Sequence, residues 1–169
     1  MTIVAIIPAR SGSKSVKDKN LLRLENRTLL EWSIMAAKKS KMVDEVVVST
    51  DSSLYAEIAT SAGASVPFLR PKELSRDRST DSEFVFHILS QLKEKDHYPE
   101  YFIHLRPTTP LRIPSIIDEA IETFIGSNFT SLRQVVFTDL GTKIFLYLNQ
   151  QALNFCATQE NLKMLNNLS

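Results

Sequence analysis

The chain has 169 residues, 43% of them hydrophobic and 23% charged, with a formal net charge of +1, the size and make-up of one globular domain with its own core. That balance excludes a protein that binds nucleic acid or a membrane surface through bulk charge, so any anion site must be local. Cys156 is the single cysteine, which excludes an intrachain disulfide framework, and the apolar run after Met1-Thr2 is neither a leader nor long enough to span a bilayer; a cytoplasmic protein with no membrane and no nucleic-acid partner is expected.

Residues 3–7 are five consecutive apolar positions rich in β-branched types, which predict a strand buried on both faces, as in the middle of a parallel sheet. Pro8 ends it. The loop that follows has small residues at Ala9, Ser11, Gly12, Ser13 and Ser15 and cations at Arg10, Lys14, Lys17 and Lys19, opposed by Asp18 alone. Small residues let backbone N–H groups approach an anion, and ligands of open α/β sheets bind beyond the carboxyl ends of the strands, so this loop is placed to hold a polyphosphate. The competing reading is a solvated basic loop. It is not a P-loop, because Ser13 separates Gly12 from Lys14 and Ile7 stands five positions back; a dinucleotide fingerprint would need three glycines.

Thr28 and Glu31 form a capping box that opens a helix along Leu30, Ile34 and Ala37 to about Ser40, with Trp32 packed at its edge. Residues 45–49 are a second buried strand. Asp51 starts the next helix and reads as its N-cap, with an apolar row of Leu54, Ile58 and Ala62 and Gly63 as the stop. After a short extended piece at 64–68, a polar loop carries Arg70, Arg76 and Arg78 and closes on a second capping box, Thr80 and Glu83. The helix beyond it is amphipathic through Phe84, Val85, Ile88, Leu89 and Leu92, with His87 beside that row and not placed as a base.

Residues 101–105 are a third strand. In the loop Arg106-Pro107-Thr108-Thr109-Pro110-Leu111-Arg112 two prolines fix φ, so two arginines and two hydroxyls project in set directions. Pro114 begins a helix with Asp118 and Glu119 near its positive end, Ile116, Ile117, Ala120, Ile121 and Phe124 on its buried side, and Gly126 as its end. Strands at 131–137 and 143–148 follow, the second as a hairpin partner, then a turn at 149–151 before 153–155. The alternation predicts an α/β fold with an open, mostly parallel sheet and helices on both faces. His87, His97, His104 and Cys156 have no metal-ligand spacing, and no Ser-His-Asp arrangement supports a hydrolase.

The run Ile7-Pro8-Ala9-Arg10-Ser11-Gly12-Ser13-Lys14, followed by Lys19-Asn20-Leu21, resembles the N-terminal signature of the acylneuraminate cytidylyltransferases. These are the CMP-sialic acid synthetases and relatives acting on legionaminic-type sugars. The resemblance implies a Rossmann-like sheet of the nucleotide-diphospho-sugar transferase type, with the loop wrapped around the triphosphate of CTP. It assigns nucleotide contacts to Arg10, Ser11, Gly12, Ser13, Lys14, Lys19 and Asn20, and catalytic charge stabilisation to Arg10, Lys14 and Lys19. Ser15 stands where many members have Gly. The Val-Ser-Thr-Asp segment at 48–51 is shared and looks structural. Arg70-Pro71 with Glu73-Leu74, then Asp77, Ser79 and Thr80, is similar to a segment that approaches the nucleotide, adding Arg70, Ser79 and Thr80; simple capping is the other role of the last two. Pro107 to Arg112 resembles a motif lying against nucleotide and sugar, which implies sugar contacts for Arg106, Thr108, Thr109 and Arg112. Arg106 replaces the Gln of several sialic-acid members, which bears on the choice of sugar.

The expected reaction is transfer of a cytidylyl group from CTP to an acylneuraminate-like nine-carbon acid sugar, with release of pyrophosphate. Such a reaction is mostly positioning and charge stabilisation. The resemblance implies Mg²⁺, held by an aspartate pair after an Asn-Gly strand motif. Neither occurs here, and no metal ligand is assigned. The likeness runs well through about Arg112, weakens between Ser131 and Asn154 and then ends. The expectation is a single domain over 1–169, truncated at its C-terminus, with about 140–169 beginning a hairpin and homodimerisation region. The alternative is a non-catalytic nucleotide-binding remnant. A glycosyltransferase is a weaker third reading, since the Asp-x-Asp it would often use is absent.

Overall fold

The computed structural model describes residues 1–13, 16–76, 79–128, 131–136 and 142–148, from residue 133 on as backbone. Lys14, Ser15, Asp77, Arg78, the turn expected at 149–151 and the segment 153–155 lie outside the described residues.

A five-stranded sheet has β1 (Ile3–Pro8) beside its centre, flanked in parallel by β4 (Glu45–Ser49) and β5 (Tyr101–His104). The order continues through β7 (Thr142–Leu148) to β6 (Ser131–Val136), both joined antiparallel, so the expected hairpin pairing is present at one end of the sheet. The other edge is extended by the piece at 64–68, whose Ser65 exchanges backbone bonds with Val46 and Val48 at 2.7 and 2.9 Å.

Alternation along β1 divides the core. Ile3, Ala5 and Ile7 face a cluster built with α1 (Leu29–Lys39), α2 (Ser53–Ser61) and α4 (Pro114–Ile125), whereas Val4 and Ile6 face α3 (Asp81–Glu94) through Phe84, Ile88 and Leu89. This two-sided burial is why the strand reads as an unbroken apolar run. Both capping boxes form as expected. Among the described residues no helix is long and apolar enough to cross a membrane.

Three local expectations are corrected. Ser52, not Asp51, caps α2: its hydroxyl accepts from the Tyr55 N–H at 3.4 Å. The buried stripe is then set by Tyr55 and Ala59, four apart, and Leu54, about 100° round the helix, is left 55% exposed. Asp118 lies beyond the first turn of α4 and serves the end of α1 instead, accepting from the Ser40 hydroxyl and from Lys41 N at 3.0 Å and Met42 N at 3.3 Å. A feature not anticipated is the small ribbon of β2 (Arg23–Leu24) and β3 (Arg27–Thr28), turned at Glu25 with φ 56°. Trp32 donates its indole N–H to Leu24 O at 2.9 Å, which seats it on this ribbon.

Candidate functional site

Three parallel strands end on the same side of the sheet; β1 and β5 each release a polar loop there, and the edge piece at 64–68, parallel to β4, leads into the second polar loop beside them. The loop from β1 begins with Ala9, whose N–H donates to Ser49 O at 2.9 Å, keeping the ends of β1 and β4 in register as the chains leave the sheet. Arg10 then points outward and its guanidinium donates to Ser75 O at 3.0 Å, in the 3-10 turn Lys72–Ser75 of the second polar loop. Gly12 has φ 67°, a left-handed conformation that costs a side-chain-bearing residue about 1 kcal/mol or more. The loop returns through the 3-10 turn Lys19–Leu21, where buried Asn20 donates from its side chain to Arg10 O at 3.2 Å and ties the two ends together.

Between these loops lies a cleft of about 220 Å³. Its wall brings together eight of the residues expected from sequence: Arg10, Lys19, Asn20, Arg70, Ser79, Thr80, Arg106 and Thr108. Arg76 and Asp81 join them without having been anticipated as site residues. Arg76 was visible as one of the arginines of its loop. Asp81 could have been placed by its position, since it is the first residue of a helix whose cap, Thr80, already stands at the cleft. Ser11, Gly12 and Ser13 belong to the loop but not to the wall; Ser11 is turned to Asp51, whose carboxylate accepts its N–H at 2.7 Å and its hydroxyl at 3.0 Å. Thr109 closes a turn onto Arg106 O at 3.2 Å. Arg112 does not reach the cleft: it is buried, donating to Ser33 Oγ at 3.3 Å and to Arg106 O at 2.8 Å, and so fixes the backbone from which Arg106 projects.

Among the described residues five cations thus share the cleft with one carboxylate, Asp81, which is ion-paired with Arg106. Arg70 is the most deeply set, 5% exposed, with Nε donating to Ser49 Oγ and Nη2 to Ser49 O, both at 2.8 Å, and its guanidinium carbon 4.6 Å from the Phe84 ring centre. Burial pulls its pKa down to about 10, which still leaves it charged at neutral pH. His104, beneath the cleft and edge-on to Phe84 at 5.4 Å, is pushed down to about 4 by burial, so it adds no charge. Thr80 caps α3 and also stands in the cleft wall. Ser79 Oγ donates to Glu73 O at 3.3 Å and accepts from Arg76 N at 3.1 Å, so it braces the second loop as well as lining the cleft.

The chemistry available here is recognition of a polyanion by forked guanidinium donors, an ammonium and hydroxyls held on rigid strand ends. Among the described residues no three His, Cys, Asp or Glu side chains come together as a metal cage. Mg²⁺ usually takes one or two carboxylates beside substrate phosphates, and the one carboxylate among the described cleft residues is engaged by Arg106. The described residues therefore do not present a donor set for Mg²⁺.

A family model described as cytidylyltransferase matches residues 4–163. The N-acylneuraminate cytidylyltransferase of Escherichia coli O18:K1:H7 is 44% identical over 122 residues, 72% of this chain and 28% of that protein. The CMP-N,N'-diacetyllegionaminic acid synthase of Legionella pneumophila is 40% identical over 122 residues, 72% of this chain and 53% of the other. The chain thus matches only about a quarter to a half of the length of these curated relatives. Among solved structures, a CMP:2-keto-3-deoxy-manno-octonic acid synthetase complexed with CTP has the same fold, with a TM-score of 0.74 at 14% identity, covering 99% of this chain and 84% of that one.

Proposed function

We propose, for a chain that belongs to the cytidylyltransferase family, that its cleft binds the triphosphate of CTP and that the chain transfers the cytidylyl group to an acylneuraminate-like nine-carbon acid sugar. In the reaction a sugar hydroxyl oxygen bonds to the α-phosphorus, the bond from that phosphorus to the bridging oxygen of pyrophosphate breaks, the electron pair leaves with pyrophosphate, and the hydroxyl proton passes to solvent water. Negative charge grows on the phosphoryl oxygens and on the leaving pyrophosphate. Arg10 and Lys19 are assigned to that charge, with Arg76 beside them. Arg70, Ser79 and Thr80 take the nucleotide, and Arg106 and Thr108 face the acid sugar. What these residues supply is position and fixed positive charge.

The observation that carries the reading is the convergence of five cations on one cleft at the carboxyl ends of three parallel strands, in a chain whose sequence matches this family. The test is pyrophosphate release by the purified chain with CTP, a divalent cation and a panel of nine-carbon acid sugars. Release that requires both sugar and CTP is expected. Binding of CTP without release would favour the non-catalytic reading. A homodimer, implied by the resemblance, is read by sedimentation in the same preparation.

A further inference from the structure

The cleft's first loop is held from outside by two side chains at the start of α2, neither of which lines the cleft. Asp51 accepts both the N–H and the hydroxyl of Ser11, at 2.7 and 3.0 Å. One turn on, Tyr55, 2% exposed, donates its hydroxyl to Asp18 Oδ1 at 3.1 Å. Burial and the neighbouring Asp18 push the phenol pKa up, so it remains a donor. Asp18 is itself at a bend: its φ is 49°, and its carbonyl accepts from Leu21 N at 2.8 Å, where the chain turns back into the protein.

The spacing gives these contacts a meaning beyond stability. Ser11 directly follows Arg10, and Asp18 directly precedes Lys19, and among the described residues Arg10 and Lys19 are the cations of this loop found in the cleft wall. Each staple therefore fixes the residue next to a cleft cation. The bond from Asn20 to Arg10 O closes the base of the loop and Ala9 N–H ties its start to Ser49 at the end of β4; Asp51 and Tyr55 add the side-chain bonds that hold it to the start of α2. We infer that Asp51 and Tyr55 are positioning residues for the nucleotide site, holding Arg10 and Lys19 at a fixed separation so that a triphosphate meets cations already in place. The inference rests on the CTP reading of the cleft. Preorganisation of this kind appears as affinity, because a loop that must be ordered by its ligand spends part of the binding energy on that ordering.

The test uses three variants of the full chain, read by two methods. Asp51→Ala removes both bonds to Ser11, Tyr55→Phe removes only the hydroxyl, and Asp51→Asn keeps the geometry, since its carboxamide can accept from the Ser11 N–H and donate to the Ser11 hydroxyl. Calorimetry is expected to show CTP affinity weakened about tenfold by Asp51→Ala and about threefold by Tyr55→Phe, with Asp51→Asn within about twofold of the parent. Hydrogen–deuterium exchange without ligand is expected to rise in peptides covering 9–21 for Asp51→Ala and Tyr55→Phe and to stay unchanged in β1 and β5. Lower thermal stability with unchanged loop exchange and unchanged CTP affinity would overturn the inference, as would Asp51→Asn behaving like Asp51→Ala. If Asp51→Ala does not fold, Tyr55→Phe decides alone. If the parent chain does not bind CTP, the functional reading fails, while the exchange data still decide whether the two side chains hold the loop.

Discussion

Replacing Arg70 by alanine tests the competition between burial cost and hydrogen bonding at the cleft floor. The guanidinium makes two bonds of 2.8 Å to Ser49 and lies 4.6 Å from the Phe84 ring centre. Hydrogen bonds to a charged group are worth about 1.5–3 kcal/mol each, and a desolvated cation–π contact about 1–2 kcal/mol. Against them stands the cost of burying the cation, which shows as the fall in its pKa from 12.5 to about 10 and amounts to about 3 kcal/mol. The bonds win, and the net loss on truncation is about 1–5 kcal/mol, centred near 3. With a urea m value of about 2 kcal/mol/M, the unfolding midpoint should fall by roughly 1.5 M. Arg70→Lys should recover little of this, because a single ammonium cannot span Oγ and O of Ser49 in the planar geometry of the fork. A midpoint unchanged for Arg70→Ala, or fully restored by lysine, would refute the reasoning.

His104 carries a pH effect with a definite sign. Its native pKa is near 4 against an ordinary 6.5, so between those values the unfolded chain takes up a proton that the native state refuses, and stability falls as pH drops through the window by on the order of 3 kcal/mol. Urea midpoints of His104→Gln measured from pH 7 to pH 4.5 should fall less steeply than those of the parent. Gly12→Ala should cost about 1 kcal/mol through its positive φ alone, since an added Cβ meets no atom within 4 Å; chemical denaturation checks this. Asp118→Ala should lower stability by about 1 kcal/mol by removing the acceptor of the Ser40 hydroxyl and of the exposed Lys41 N–H at the end of α1, while Met42 N–H keeps Ser40 Oγ at 3.3 Å, and a thermal melt reads it out.

The sheet and its helices were legible because long-range burial leaves a periodic trace. The unbroken run at 3–7 is apolar because β1 is covered on both faces, and both capping boxes are local arrangements that need no tertiary information. The cleft was legible through its loops, whose cations stand at the ends of strands the pattern had already identified. What escaped depended on contacts distant in sequence. Asp51 looks like a cap from its position, yet its partner is Ser11, 40 residues earlier. Asp118 looks like a helix-dipole residue, yet it satisfies the end of α1. Arg112 shares its motif's polar character but folds inward to Ser33, 79 residues away on α1. In each case a charged side chain had a local role available, and tertiary geometry gave it another.

The central claim, that the cleft holds a nucleotide triphosphate by its cations, is tested most directly by titrating the purified chain with CTP and with CMP in a calorimeter at low and moderate salt. The account predicts CTP binding at least about tenfold tighter than CMP, with the gap narrowing as salt rises, because the difference resides in the β- and γ-phosphates. Equal affinity for the two nucleotides, or no binding of CTP at all, would contradict it.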